Sequence, residues 1–121
     1  MKTFALSENV IFNDKNANAE PLHVDQNGRI LRFALQPGQT IVEHNAPHSP
    51  VNIVVLQGHG LFAGGDQQEQ KFGPDTMILF DAGENHLIKA LDEPLVFLTI
   101  LHEAPNPNRK GDNTRPRRTI K

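Results

Sequence analysis

Apolar residues along this chain recur in short segments that alternate with polar positions and end at glycine or proline. The main segments are RILRFAL (29–35), TIVEH (40–44), VNIVVLQG (51–58), TMILF (76–80), HLIKAL (86–91) and PLVFLTIL (94–101). None of them sustains a helical period with capping residues at both ends. The pattern therefore predicts an all-β protein, in which short antiparallel strands form a sandwich or a barrel.

Glycine and proline mark the connections between the predicted strands. The segment LFAGGDQQEQKFG (61–73) predicts a hairpin whose tip is Gly64-Gly65-Asp66. Pro47 and Pro50 predict a loop, because proline cannot donate a hydrogen bond inside a strand ladder.

Three regions follow from this organisation. Residues 1–27 contain two short apolar segments, FALSENVIF and PLHV, which we interpret as N-terminal edge strands. Residues 28–102 form the main β domain, and residues 103–121 form a tail with almost nothing apolar. Such a tail is expected to be extended unless a partner orders it.

The charge of the chain is unevenly distributed between the body and the tail. The net charge is −2, from 12 Lys+Arg and 14 Asp+Glu, and residues 1–102 carry 6 of the basic and 12 of the acidic residues. The tail therefore holds the remaining 6 basic and 2 acidic residues. A basic tail is compatible with nucleic-acid binding. However, it has no aromatic residue and the body is acidic, so we expect a solvated tail or one that packs across a dimer partner.

Composition narrows the functional classes further. With 121 residues, 37% hydrophobic and 21% charged, the chain is expected to be one soluble globular domain. The absence of cysteine excludes disulfides, thiolate nucleophiles and iron–sulfur clusters. No segment approaches the roughly 20 apolar residues that cross a bilayer, and residues 1–14 lack the apolar core of a signal peptide. We therefore expect a cytoplasmic protein without membrane contact.

The first of two glycine-framed segments surrounds a histidine. Gly38 is followed by five residues, QTIVE, and then by His44, and the segment closes at Gly58. This spacing resembles the first motif of the cupin family. The match is incomplete, because the second histidine of that motif falls on Ala46 and its glutamate falls on Val51.

The second glycine-framed segment, FGPDTMILFDAGENH, resembles the second cupin motif. It supplies Gly73, Gly83 and His86. Here too the match is incomplete, because the proline of the motif is Asp81 and its terminal asparagine is Ala90. Of the four metal ligands that the family usually has, His44 and His86 are therefore retained in register.

The resemblance covers about residues 28–101 and is closest to small single-domain cupins with an eroded metal motif. It implies a jelly-roll-like antiparallel β-barrel with a core of six strands, to which the N-terminal strands and the extended tail are added. It also implies a homodimer, and a site inside the mouth of the barrel.

Three histidines are candidate metal ligands, namely His44, His48 and His86. On a straight strand, His44 and His48 would lie about 13 Å apart, too far to share one ion at about 2.1 Å per bond. The loop at Pro47 must therefore turn the chain back for His48 to reach the site. A three-histidine set suits divalent iron, zinc, nickel or copper, and His102 is a fourth candidate.

A metal-free pocket is the alternative. There, His44 and His86 are neutral imidazoles that bind a small organic ligand by hydrogen bonds. Arg32 holds a carboxylate of the ligand if its face lines the barrel, and is an ordinary surface arginine if it does not. The apolar residues expected to line the interior are Val42, Val54, Leu56, Ile78 and Ile88.

Two functional classes remain open from the sequence. The first is a ligand-binding or sensory module. The second is a small metal-dependent enzyme of the dioxygenase, isomerase or lyase type, in which the metal acts as a Lewis acid or activates oxygen. The loss of the motif glutamate and of one histidine favours the first class. For His23 and His59 a structural role is expected, and no nucleophile triad is recognisable.

Overall fold

The computed structural model describes residues 1–43 and 49–102, which form nine β-strands and no helix. Within these ranges there is accordingly no helix that could span a membrane. The strands are β1 (Asn18–Asp25), β2 (Gly28–Leu35), β3 (Thr40–Glu43), β4 (Val51–Gln57), β5 (Gly60–Ala63), β6 (Gln70–Phe72), β7 (Met77–Phe80), β8 (His86–Ala90) and β9 (Leu95–Leu101).

The strands form two sheets that pack face to face. One sheet has five strands in the order β1-β2-β9-β4-β7, and the other has four in the order β3-β8-β5-β6. All pairings are antiparallel, including the predicted β5–β6 hairpin. The all-β antiparallel prediction is thus confirmed. Between the described strands no pairing joins the two sheets, so the architecture is an open sandwich rather than a closed barrel.

The core lies between the two sheets and is built by alternation along the strands. In β4 the buried side chains are Val51, Ile53 and Val55. Phe97 on β9 stacks on Phe33 with ring centroids 5.1 Å apart. It also makes an edge-to-face contact with Phe62 of the four-stranded sheet, at a centroid distance of 6.2 Å. The other buried residues of this core cluster are Leu35, Ile41, Phe62, Phe80, Ile88, Ala90, Leu95 and Leu101.

Three residues predicted to line the interior do not do so. Val42 is 69% exposed, and Val54 is paired with Met77 and Leu98 on the outer face of the five-stranded sheet. Leu56 lies at a β-bulge, where the register with β9 shifts between Val55 and Gln57. The segment VNIVVL is apolar on both faces, so its periodicity does not determine which face is buried. By contrast, Ile88 is buried and Ile78 packs against the core, as predicted.

The N-terminal region contributes one edge strand instead of two. The predicted strand PLHV lies within β1, which pairs with β2 at the edge of the five-stranded sheet. The segment FALSENVIF forms no strand. Part of it, at residues 5–9, lies against β2 and accepts hydrogen bonds from Arg32. The predicted tail, 103–121, lies outside the described residues.

Candidate functional site

A cavity of about 230 Å³ lies between the two sheets. Among the described residues, its lining is apolar except for Arg29, His86 and Thr99. The apolar lining residues are Leu31, Phe33, Ile41, Val51, Ile53, Ile88, Phe97 and Leu101. Arg29 is exposed and marks the mouth of the cavity, at the end of the sandwich where β3 ends and β4 and β8 begin.

His86 reaches the cavity because it begins β8, whose alternate residues His86, Ile88 and Ala90 are buried. The imidazole is 8% exposed and stacks on Phe80, with ring centroids 4.8 Å apart. Its Nδ1 lies 3.3 Å from the carbonyl oxygen of Glu84. A carbonyl only accepts hydrogen bonds, so Nδ1 carries a proton and donates to it. The second ring nitrogen, Nε2, has no hydrogen-bond partner among the described residues.

Of the described residues that line the cavity, Thr99 alone carries a hydroxyl. Its side chain is 6% exposed, because Thr99 shares the inward register of β9 with Phe97 and Leu101. In the described part of the chain, the hydroxyl forms no hydrogen bond. A buried polar group without a partner costs about 1–3 kcal/mol. An unpaired hydroxyl facing a cavity therefore indicates a position where a bound molecule supplies the partner.

Arg29 is the one Lys, Arg, Asp or Glu residue in the part of the lining that the structure describes. It shares the inward face of β2 with Leu31 and Phe33, and it is in register with Leu101 of β9. The described lining contains no carboxylate.

The loop that precedes His86 is held by the carboxylate of Glu84. Its two oxygens accept hydrogen bonds from the backbone N–H of Gly65 at 2.8 Å and of Asp81 at 2.9 Å. These bonds, the one from Gly65 most of all, hold the pKa of Glu84 below its usual value of 4.5. They connect the β5–β6 hairpin to the turn that presents His86.

Because the pKa of Glu84 is lower in the folded protein, its ionisation should stabilise the fold. This contribution is present above pH 4.5 and is lost as the pH falls through the folded pKa. We expect Glu84→Gln to flatten the decrease in stability on acidification, because glutamine has no charge to lose. The measurement is urea denaturation from pH 7 to pH 3. The exposed Glu69 is the control, and a Glu69→Gln variant that flattens the profile equally would contradict this role for Glu84.

The remaining predicted site residues do not converge on the cavity. His44 and His48 lie outside the described residues; they belong to the connection between Glu43, which pairs with His86, and Val51. Arg32 is not in the cavity lining, because Arg32 alternates with Leu31 and Phe33 and lies on the opposite face of β2.

The other three histidines are also outside the cavity lining. His102 is exposed. His23 contacts Asp25 at 3.0 Å, and His59 lies 3.8 Å from Glu93, both at the surface. The structural role expected for His23 and His59 stays a prediction.

The described residues do not form a metal-binding cluster. Within 1–43 and 49–102, no three His, Asp or Glu side chains are grouped closely enough to hold an ion. Of the three predicted ligands, the described residues supply His86 alone. They do not by themselves fit a metal, and no step of a mechanism is derived through one.

A second depression, of about 540 Å³, lies on the outer face of the four-stranded sheet. Val42 and Leu87 lie in it, and His86 borders it as well as the cavity. It is larger, but it is a surface depression, and the buried Thr99 hydroxyl does not face it. We therefore take the interior cavity as the candidate site.

Two site residues were missed by the sequence analysis, although a signal for each was present. Arg29 precedes Leu31 by two residues, so it extends the face of Leu31, Phe33 and Leu35 that was recognised. Thr99 is the one polar residue in the apolar run PLVFLTIL. A polar residue in such a run costs energy unless it has a partner, and this makes it a candidate.

The two-sheet antiparallel sandwich, with a cavity opening at one end, defines the chain as a jelly-roll-like protein. The cupin domain model matches residues 31–101, and the chain belongs to this family. No protein with a curated description matches the sequence.

Solved structures agree with the family assignment. An RmlC-like cupin protein from Desulfovibrio desulfuricans is 28% identical, with a TM-score of 0.73 over 84% of this chain and 96% of that one. A conserved protein with a double-stranded β-helix domain from Klebsiella pneumoniae has 17% identity and a TM-score of 0.79, over 85% and 90% of the two chains. The cupin domain of an XRE-family transcriptional regulator from Enterobacter cloacae has 18% identity and a TM-score of 0.67, over 73% and 97%.

Proposed function

We propose that this cupin binds a small organic molecule in the interior cavity and that binding requires no metal. The observation that carries the proposal is a pair of buried polar atoms without partners in the described chain, the Thr99 hydroxyl and His86 Nε2. Both residues line a cavity that is otherwise mostly apolar. Apolar walls with a few convergent polar groups are typical of small-molecule sites.

The size of the cavity limits the ligand. Its volume of about 230 Å³ corresponds to seven or eight waters at roughly 30 Å³ each. This admits a molecule of about ten non-hydrogen atoms, smaller than the ligands of most protein pockets. We assign the protein a ligand-binding or sensory role on this basis.

Replacing His86 with leucine tests the proposal, because leucine fills much of the space of the imidazole but lacks both ring nitrogens. Small organic molecules that raise the melting temperature in the presence of a chelator should bind the His86→Leu variant about tenfold more weakly, since a hydrogen bond to the ligand is lost. The measurement is a thermal-shift screen followed by calorimetry. The control is His102→Leu, which replaces an exposed histidine outside the cavity and should leave the affinity unchanged.

Elemental analysis of untagged protein separates this proposal from the three-histidine metalloenzyme. We expect no stoichiometric iron, zinc, nickel or copper, and no uptake when these ions are supplied. Near-stoichiometric metal that disappears in His86→Leu would contradict metal-free binding and support the enzyme. The homodimer and the cytoplasmic location stay predictions.

A further inference from the structure

We propose that the ligand is a small uncharged hydroxyl compound, an alcohol or a phenol. Its O–H group donates a hydrogen bond to Nε2 of His86, one of its oxygens accepts a hydrogen bond from Thr99, and the rest of the molecule is apolar. This inference rests on the proposed function, because it names the chemical class that the same cavity selects. It depends on the two unpartnered polar groups, on the charge of the lining and on the apolar walls.

The two unpartnered polar groups come from opposite sheets. His86 begins β8 of the four-stranded sheet, and Thr99 lies in β9 of the five-stranded sheet. Both residues are more than nine-tenths buried, with 8% and 6% exposed, and both line the cavity of about 230 Å³. Packed sheets lie about 10 Å apart, so a molecule that fills the space between them is within reach of both side chains.

The hydrogen-bonding chemistry of the two groups matches a hydroxyl. Nδ1 of His86 donates to the carbonyl of Glu84, so in the neutral imidazole Nε2 is an acceptor and requires a donor from the ligand. The Thr99 hydroxyl can donate to a ligand oxygen. A carboxylate or an ether has no donor for Nε2, whereas a hydroxyl compound supplies both a donor and an acceptor. A primary amide supplies both as well, but its second N–H adds a buried donor, which is costly when it is unpaired.

The charge of the lining favours an uncharged ligand. Arg29 is the one Lys, Arg, Asp or Glu residue in the described part of the lining, and it already has an interaction partner in the chain. It is therefore not available as the counter-charge of an ion. An ionised group that enters an apolar cavity without a counter-charge loses its hydration at a large cost. A neutral hydroxyl avoids this cost.

The rest of the described lining favours a compact apolar group. Phe33 and Phe97 are in register on neighbouring strands, and their rings are nearly parallel, at an angle of 5°. They line the cavity together with aliphatic side chains of both sheets. A small aromatic or branched hydrocarbon group therefore fits beside the hydroxyl, and the burial of its surface contributes to the affinity.

Isomeric hydroxyl compounds and ethers test the hydroxyl directly. The probes are 4-methylphenol with methoxybenzene, and 3-methylbutan-1-ol with 1-methoxy-2-methylpropane. Each ether has the same atoms as its isomer and keeps an acceptor oxygen, but it has no O–H donor. The two pairs also distinguish a phenol from an aliphatic alcohol.

Binding of the four probes to the wild-type protein is measured by calorimetry in the presence of a chelator. The measurement is made at pH 8, which favours uncharged phenols and neutral histidine side chains, and NMR shifts of residues lining the cavity locate the site. We expect a hydroxyl compound to bind about five- to tenfold more tightly than its ether. Because the ethers are more apolar, non-specific partitioning would give the opposite order.

Substitutions then assign the two contacts. His86→Leu should remove the preference for the hydroxyl compound and leave ether binding unchanged, because only the hydroxyl compound donates to Nε2. Thr99→Val should weaken the binding of hydroxyl compound and ether alike, by about three- to tenfold, because both have an oxygen that accepts from Thr99. Thr40→Val is the matched control, since Thr40 is exposed on β3 and lies outside the cavity lining. It should leave all four affinities unchanged.

The outcomes separate the two proposals. A preference for the hydroxyl compound in either pair supports the inference and identifies the kind of hydroxyl. If both ethers bind the wild-type cavity as tightly as their isomers, or if His86→Leu keeps the preference, the hydroxyl inference is overturned while the cavity remains a binding site. If none of the four probes shifts the cavity residues at millimolar concentration, both proposals are overturned. The comparison within each pair needs no variant, so a misfolded variant does not prevent the test.

Discussion

Replacing Gly58 with alanine should lower the free energy of unfolding by at least about 3 kcal/mol, or prevent folding. Gly58 has φ of +80°, in the left-handed region that alanine adopts only with strain. A Cβ at this position would also lie 1.9 Å from the carbonyl oxygen of Pro94 and 2.9 Å from its carbon. Both are backbone atoms, so the clash is relieved only by moving the β8–β9 connection. Urea denaturation of the purified variant measures the loss.

The chain contains a matched control for this effect at Gly38. Its φ of +83° is almost the same, but a Cβ there would meet no atom within 4 Å. Gly38→Ala should therefore cost only the backbone strain, about 1–2 kcal/mol. The difference between the two losses of unfolding free energy measures the cost of placing a Cβ where the β4–β5 turn approaches the β8–β9 connection. If both variants lose the same free energy of unfolding, the predicted clash with Pro94 does not destabilise the fold.

The two glycines also show why the fold was predictable from the sequence. Gly38 and Gly58 frame the first motif, and both have the positive φ that favours glycine. Such residues define turns locally, and the apolar segments between them define strands of limited length. Both signals depend on near neighbours in the chain. The positions of the strands along the sequence could therefore be predicted without knowledge of the tertiary structure.

The face that each strand buries was harder to predict. In β4, residues Val51, Ile53 and Val55 are inside, while Val54 and Leu56 are equally apolar and face away or lie in the bulge. A shift of one residue exchanges the two faces of a strand. Where both faces are apolar, the choice depends on packing against other strands, which the local sequence does not contain.

The dependence on packing between strands also limited what could be predicted about the site. His86 was found through its position in a motif, and the structure places it in the cavity lining. Arg29 and Thr99 were not proposed, because their place in the cavity lining depends on which faces of β2 and β9 turn inward, and these two strands pair from distant parts of the chain. Two of the three polar residues in the described lining are therefore set by the pairing of β2 with β9.

Arg32 shows a third outcome that the sequence analysis did not consider. It was expected to bind a ligand carboxylate or to lie on the surface, and instead it is 5% exposed and forms an ion pair with Glu20 at 2.7 Å. Its remaining N–H groups donate to backbone carbonyls of the N-terminal segment at 2.9–3.5 Å; these belong to Ala5, Leu6, Glu8 and Asn9. These partners are 23 to 27 residues away in sequence, so no local pattern indicates them.

Arg32→Met should accordingly release the N-terminal segment and lower the free energy of unfolding by about 2–4 kcal/mol. Methionine fills part of the space but leaves the carbonyls of residues 5–9 without their donor. The estimate lies below the usual cost of breaking a buried ion pair, because the Glu20 side chain is 31% exposed and can be solvated.

In this interpretation Arg32 acts as a clamp that holds residues 5–9 against β2. Two measurements distinguish the loss of this clamp from a general loss of packing. Hydrogen exchange should show that protection is lost first in residues 5–9 and in β1, while β4 and β9 keep theirs. Arg29→Met is the matched control, since it makes the same substitution on the same strand at an exposed position, and should change stability by less than about 1 kcal/mol. If both variants lose the same stability, or if the core strands lose protection together with residues 5–9, Arg32 does not act as a clamp. A selective release would instead show that a buried arginine on the outer face of β2 holds the N-terminal segment on the sandwich, independently of the ligand cavity on the inner face.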